Sequence, residues 1–343
     1  AHYTDSSPRA RTEAQALAFS LDGGSTWTRH AGNPVLELGV QDFRDPKVFW
    51  WGDAGGHWVM ATVDPPGRRV LLFTSPDLRT WTAASSFGPA GAVDGIWECP
   101  DLFPLTVAGT GETRWVLVLS LNPGAIAGGS GGQYFVGDFD GTVFTPDPRG
   151  DGIAWDWLDF GRDLYAAVSF GGVAGGRRLL LGWGSNWDYA MALPRRGWSS
   201  AMSFVRELGL VRDDDGHHRL VQRPVVPLDD PALAVAELTV PVAPGRATDV
   251  VVSTPDGADR VVVTVDGDRR ELRCDRRASG NVEFHPAFAS VDVAPLPPGD
   301  TTDLLVIADA SVVEVYAAGG RVTMVEQVLP GAPLSVIHVV EAR

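Results

Sequence analysis

The sequence predicts an all-β protein in two parts, a β-propeller followed by a β-sandwich. Three observations carry that prediction. Glycine and proline are abundant, 40 and 25 of 343 residues, and they cut the chain into short runs rich in Val, Leu, Phe and Trp. Up to about residue 228 those runs recur with one rhythm of strand, Gly-rich turn and strand. Beyond it the pattern becomes a plain period-two alternation, and tryptophan stops: all 12 lie between Trp27 and Trp198.

The elements follow in order. "AFSLDGGSTWT" (18–28) and "FTSPDLRTWT" (73–82) share Ser-x-Asp, a turn, then Trp-Thr. "DPKVFWWGDAGGHWVMATV" (45–63) and "CPDLFPLTVAGTGETRWVLVLS" (99–120) both read as proline, strand, Gly-rich turn, aromatic, strand. "LYAAVSFGGVAGGRRLLLGWG" (164–184) repeats the rhythm. A unit of roughly 50–70 residues with about four short strands is a propeller blade, whose innermost strand lines a central channel. "PVVPLDDPALAVAE" (224–237) reads as a junction, so the expected division is a propeller over 1–228 and a sandwich over 229–343. In the second part "DVVVSTPDG", "DRVVVTVDGDRRELRCDR" and "DLLVIADASVVEVYAAGGRVTMVEQVLP" alternate between VDG and AGG turns, as sandwich strands do.

Composition narrows the partners. A formal net charge of −15 argues against nucleic acid, whose phosphates want a basic face. Cys99 and Cys274 stand far apart in unlike contexts and predict neither a disulfide framework nor a metal cluster; no cofactor is expected. No stretch reaches the roughly 18–20 apolar residues of a membrane span. The chain opens on "AHYTDSSP", without Met or signal peptide, and that opening reads as the interior of a longer polypeptide.

The chemistry centres on "DFRDPKVFWWG" (42–52) and "GIWECPDLFPL" (95–105), each with a carboxylate at the mouth of a strand. A propeller would bring Asp45 and Glu98 to one axial pocket. Paired carboxylates among aromatics point to glycoside hydrolysis, in which one carboxyl must stay protonated. Glu98, between Trp97 and Cys99, has the apolar setting that favours a proton and is the expected acid. Asp45, after Arg44, is expected to stay ionised and to hold hydroxyls or a developing cation. Each motif alone reads more readily as a turn with a local ion pair. Their repetition in matched contexts brings the functional reading level with that one.

The ordered motifs resemble glycoside hydrolase family 32, the invertases, inulinases and levanases. "FRDPKVF" resembles the family's Arg-Asp-Pro motif and "WECPDLF" its Glu-Cys motif. "SLDGGSTWTRHAGNPVL", "FGRDLYAAVSF", "LLGWGSNWDYA" and "RRGWSSAMSFVREL" fall in the expected order, and "CDRRASG" and "SVVEVYAAGG" resemble the sandwich motifs. The resemblance covers essentially the whole chain. It implies a five-bladed propeller followed by a sandwich, and a retaining reaction on β-fructofuranosides. In that scheme Glu98 is the general acid/base and Asp45 a transition-state stabiliser. Arg44 and Cys99 complete the pocket, Tyr165 stands near the acid/base, and Trp187 packs on the sugar. Asp188 reads as a solvated loop acid, and residues 232–343 are expected to supply no catalytic group.

One departure matters. The family's nucleophile is an aspartate in an Asn-Asp-Pro motif, and no such motif occurs here; Asn33-Pro34 lacks the acid, and "DDP" (229–231) lies at the junction. The expectation is therefore that the first blade and part of the second are absent from this chain and are supplied elsewhere, in the extreme by a separate N-terminal chain. Three functions compete: a secreted fructan- or sucrose-active hydrolase or fructosyltransferase, a non-catalytic fructan-binding relative, and a propeller glycosidase acting on arabinose or xylose.

Overall fold

The computed structural model describes residues 1–7, 12–150, 152–194, 197 and 199–342. Arg195, Arg196 and Trp198 of the 195–208 motif lie outside the described residues. The fold is all-β, with only three short 3₁₀ turns among the described residues. It divides into two compact units, one of residues 1–123 and 133–156, the other of residues 124–132 and 157–343.

The first unit holds three antiparallel sheets. One joins β1 (His2–Ser7) to β2 (Thr12–Phe19); two short strands, β3 (Thr28–Arg29) and β4 (Leu36–Glu37), pair with β2. The next is a meander of β5 (Arg44–Trp51), β6 (His57–Asp64), β7 (Arg69–Ser75) and β8 (Thr82–Phe87). The third runs through β9 (Ile96–Thr106), β10 (Thr113–Asn122), β11 (Gly131–Phe139) and β12 (Phe144–Pro146). The two-residue strands β13 (Pro148–Arg149) and β14 (Gly152–Ile153) form a ribbon, and β15 (Trp155–Trp157) pairs with β11. Strands this short, joined by glycine-bearing turns, bury their apolar faces only by packing sheet on sheet. Phe43, Met60 and Phe73 form one such core, with Val48, Leu71 and Trp81 against it. Phe87, Trp97 and Phe135 form another, the Phe87 and Phe135 rings lying edge-on at 4.9 Å between centroids.

The second unit holds a further four-stranded meander, β16 (Tyr165–Phe170), β17 (Arg178–Trp183), β18 (Arg206–Arg212) and β19 (His218–Pro224). Two more sheets follow. One contains β20 (Ala234–Pro241), β25 (Thr301–Ala308), β26 (Val312–Ala317) and β27 (Val322–Gln327); the other contains β21 (Ala247–Ser253), β22 (Arg260–Asp266), β23 (Glu271–Ala278), β24 (Val291–Pro295) and β28 (Val336–Ala342). Their inner faces share one apolar core of valines, alanines and leucines, including Val250, Val263, Leu272, Val306 and Val315. That is a sandwich, formed because alternate residues of each strand face inward.

Two buried ion networks tie the sandwich motifs to the meander within this unit. Arg206 donates to Glu314 Oε2 at 2.8 Å, to Asp159 Oδ2 at 3.0 Å and to Gln222 Oε1 at 2.9 Å. Arg276 pairs with Asp163 and donates to the Tyr189 hydroxyl at 3.0 Å and the Gln327 carbonyl at 2.9 Å. Both guanidinium groups are fully buried. The charges of "CDRRASG" and "SVVEVYAAGG" are thus held in structural pairs.

Candidate active site

The site begins with a backbone irregularity repeated in three sheets. β5, β9 and β16 each open their own meander, and each carries a bulge near its start. In β5 the ladder passes from Arg44↔Val63 to Lys47↔Ala61, so Asp45 and Pro46 together oppose Thr62. In β9 Cys99 and Pro100 oppose Leu119, and in β16 Ala166 and Ala167 oppose Gly182. The first extra residue is left-handed in every case, with φ of 61° at Asp45, 51° at Cys99 and 50° at Ala166. Such conformations are strained for non-glycine residues, by about 1–3 kcal/mol each, and a bulge re-aims the side chain before it.

The register corrects one expectation. Asp45 is the structural counterpart of Cys99, not of Glu98. The counterparts of Glu98 are Arg44 and Tyr165, each the last regular residue before its bulge. Two acids that looked equivalent in the sequence stand one residue apart because both motifs keep the proline, not the acid, in phase.

The bulges of β5 and β9 meet. Arg44 Nε donates to Glu98 Oε1 at 3.1 Å, and the Cys99 amide donates to Asp45 Oδ2 at 2.9 Å. Asp45, Glu98, Arg44 and Cys99 therefore form one cluster, as expected. Farther along, Lys47 donates to its counterpart, Asp101, at 3.2 Å. The Asp45 amide, turned by the bulge, donates to Thr4 Oγ1 at 2.9 Å, and the Thr62 hydroxyl donates to the Arg44 carbonyl.

The electrostatics differ from the sequence reading. Arg44 does not form its ion pairs with Asp45. Its guanidinium meets three other carboxylates, Glu13 Oε2 at 3.0 Å, Asp42 Oδ1 at 2.9 Å and Glu98 Oε1 at 3.1 Å. Burial acts to lower the Arg44 pKa, but bonds to Asp42 and Glu13 and the nearby acidic charges outweigh it, and the value is raised. Asp45 was expected to be held ionised; instead its carboxyl is pushed up. Burial is the largest cause, opposed by the Cys99 amide and reinforced by the Glu98 charge, with Arg44 pulling the other way. Nor is Glu98 walled by its apolar neighbour: successive strand residues face opposite ways, and Trp97 points into the core with Phe87 and Phe135. What faces Glu98 is Arg44. Burial and the charges of Asp45 and Glu98 push the Cys99 thiol well up, which favours its neutral form.

Tyr165 and Trp187 stand in the second unit and are placed there by their own surroundings. Tyr165 is buried and pairs across the ladder with Trp183. Trp183 lies between the two, 6.2 Å from the Tyr165 ring and 4.9 Å from the Trp187 ring. Trp187 is 46% exposed, so this row ends in an open indole face. Asn186, fully buried, holds that end. Its side-chain nitrogen donates to the carbonyls of Gly128, Ser130 and Arg162, and its oxygen accepts from the amides of Ser130 and Asp188. Asp188 lies 3.7 Å from Arg162 and remains partly solvated.

Sequence reasoning missed Glu13, Thr4, Trp183 and Asn186. Trp183 and Asn186 sit inside a quoted motif and could have been weighed. Glu13 and Thr4 carry no local signal, because their roles exist only across sheets.

Family models for the N-terminal domain of glycosyl hydrolases family 32 and for the family 32 C-terminal region match residues 1–224 and 223–342. The chain belongs to glycosyl hydrolase family 32. It is 40% identical to a levanase of Bacillus subtilis, over 93% of this chain and 51% of that protein. It is 35% identical to an extracellular exo-inulinase of Aspergillus ficuum, over 93% of this chain and 67% of that protein. The chain thus spans about half to two thirds of the length of these relatives. A crystal structure of exo-inulinase from Aspergillus awamori superposes with a TM-score of 0.90 at 30% identity, covering 98% of this chain and 75% of that one.

Proposed function

We propose that this chain is the greater part of a secreted glycosidase that cleaves β-fructofuranosides, fructans or sucrose, by a retaining double displacement. The observation that carries the reading is the joined pair of bulges, with Arg44 on Glu98 and the Cys99 amide on Asp45, at strained backbone whose side chains keep access to solvent. Strained left-handed residues tend to be kept where geometry serves a site. Glu98 gives its proton to the glycosidic oxygen as the bond to the fructosyl carbon breaks, then takes a proton from the water that attacks the intermediate. Asp45 accepts fructosyl hydroxyls and stabilises the oxocarbenium-like transition state. Arg44 orients Glu98, Cys99 lines the pocket, and Tyr165 and Trp187 contact sugar.

In this scheme the nucleophilic aspartate comes from a segment outside these 343 residues, on the same polypeptide or on a separate chain. The division into a propeller over 1–228 and a sandwich over 229–343 is part of the proposal. Secretion follows from a polymeric substrate, and a matched relative is named extracellular. A second reading, a fructan-binding relative without turnover, is favoured by the absent Asn-Asp-Pro motif. The test is release of fructose from sucrose, inulin and levan by the wild type and Glu98→Gln. Turnover lost in the variant supports the enzyme. Saccharide binding with no turnover by the wild type supports the binding relative, and neither binding nor turnover rejects both.

A further inference from the structure

A cavity of about 380 Å³ lies beside the candidate site, between the segment entering β5 and the turn from β6 to β7. It falls at the low end of ligand pockets, which run from about 300 to 1,000 Å³. That is room for a single sugar ring and little more. Leu38, Val40 and Leu71 give it an apolar wall, and Asp42, Asp64 and Arg69 give it a polar one. A sugar ring has the same division, with C–H faces and a rim of hydroxyls that both donate and accept.

The polar side is already ordered. Asp64 accepts the Gly67 amide at 3.1 Å through Oδ1 and Arg69 Nη2 at 2.8 Å through Oδ2. A Cβ at residue 67 would stand 2.2 Å from Asp64 Oδ2, so glycine there keeps the carboxylate in place. Arg69 is neutralised by Asp64, and Asp42 adds a further negative charge, so the lining does not suit an anion such as a phosphate. A neutral polyhydroxyl ligand fits it.

The position supplies the link to chemistry. The turn bearing Asp64 and Arg69 lies at the same end of its sheet as Arg44, which pairs across the ladder with Val63. Asp42 lines the cavity and also accepts from Arg44 at 2.9 Å, and Arg44 donates to Glu98. Two hydrogen bonds separate the cavity wall from the candidate acid.

We propose that this cavity is an accessory saccharide subsite, which takes a sugar unit beyond the first two of the fructan whose terminal unit is processed at Glu98. The proposal rests on the function proposed above. A ring in the cavity packs a C–H face on Leu38, Val40 and Leu71 and shares hydroxyls with Asp42, Asp64 and Arg69. The subsite engages only substrates longer than sucrose, so it favours polymer over disaccharide.

The test uses two variants of the whole protein. Val40→Trp fills the mouth from a position that is 45% exposed, and Arg69→Ala removes a hydroxyl partner. Leu21→Trp, at a residue 93% exposed and outside the cavity lining, is the control. Two quantities are measured: the ratio of kcat/KM on a fructo-oligosaccharide to that on sucrose, and calorimetric affinity for the same two sugars. Each cavity variant should lower the ratio about tenfold and remove the wild type's tighter grip on the longer sugar, a tenfold change being one decade of affinity. The control should do neither. An unchanged ratio, or equal loss on both sugars, overturns the subsite. If the wild type turns over no fructoside, the proposed function fails; the binding comparison still decides the subsite, and wild-type affinity equal for both sugars rejects it.

Discussion

Two regions of this molecule gather carboxylates around arginine, and they do so to opposite ends. In the second unit, Arg206 and Arg276 are fully buried among buried hydrogen bonds, and although Arg276 stands in a bulge of β23, neither has left-handed backbone. In the first unit, Arg44 faces three acids at the mouth of β5 but stays 18% exposed, beside residues in left-handed backbone. The sealed networks hold parts together. A buried pair is weak evidence for net stability, yet breaking one partner is strongly destabilising. In the proposed function the open cluster holds side chains ready at strained backbone that water reaches. Residue type does not separate a structural ion network from a site; solvent access and backbone strain do.

The largest contrast is chemical. Glu98→Gln should lower turnover of sucrose or a fructan by about 10²–10⁴-fold, the usual worth of general acid/base catalysis, while the unfolding midpoint hardly moves. Near-normal rates would remove Glu98 from the mechanism and collapse the comparison.

The converse experiment is Arg276→Met. It strands Asp163 in a fully buried place. Urea unfolding should show a loss of about 3–5 kcal/mol, and whatever protein remains folded should keep its turnover per molecule. A small loss would mean that the sealed network is no more structural than the open one.

Asn186→Ala tests the aromatic row at lesser cost. It removes a buried side chain that satisfies three carbonyls and two amides beside Trp187. Stability should fall by about 1–3 kcal/mol, the penalty for buried groups left without partners. Saccharide affinity should weaken more than kcat. Equal loss in both, or none in either, would detach Trp187 from binding.

The smallest effect is a pH dependence. Burial first, and then the Glu98 charge, raise the Asp45 pKa. The folded protein therefore holds that proton more tightly than the unfolded chain. Its contribution to stability is present in acid and declines as pH rises from the ordinary aspartate range through the folded value. Asp45→Asn should match the wild type at low pH and exceed it at neutral pH, while activity falls. Thermal unfolding across that range is the measurement. A variant less stable at neutral pH would show that the carboxylate, once ionised, is welcome where it stands.

Much of this was legible in the sequence. The period of two and the glycine-bearing turns set strand against turn, because side chains alternate across a strand and few residues other than glycine enter left-handed backbone freely. The recurring motifs marked β5, β9 and β16 and singled out Asp45 and Glu98, and the family resemblance added Arg44, Cys99, Tyr165 and Trp187 as candidates. Only the tertiary structure decided what each of them meets. A bulge of one residue changes which side chain points where, and neither its register nor the reach of Glu13 and Thr4 to the β5 mouth leaves a local trace. Proline stays in phase between the two motifs, so Asp45 aligns with Cys99, and Arg44 is left to pair with Glu98. Local sequence sets the conformations a segment can adopt; the partner of a charge is settled by packing between sheets far apart in the chain.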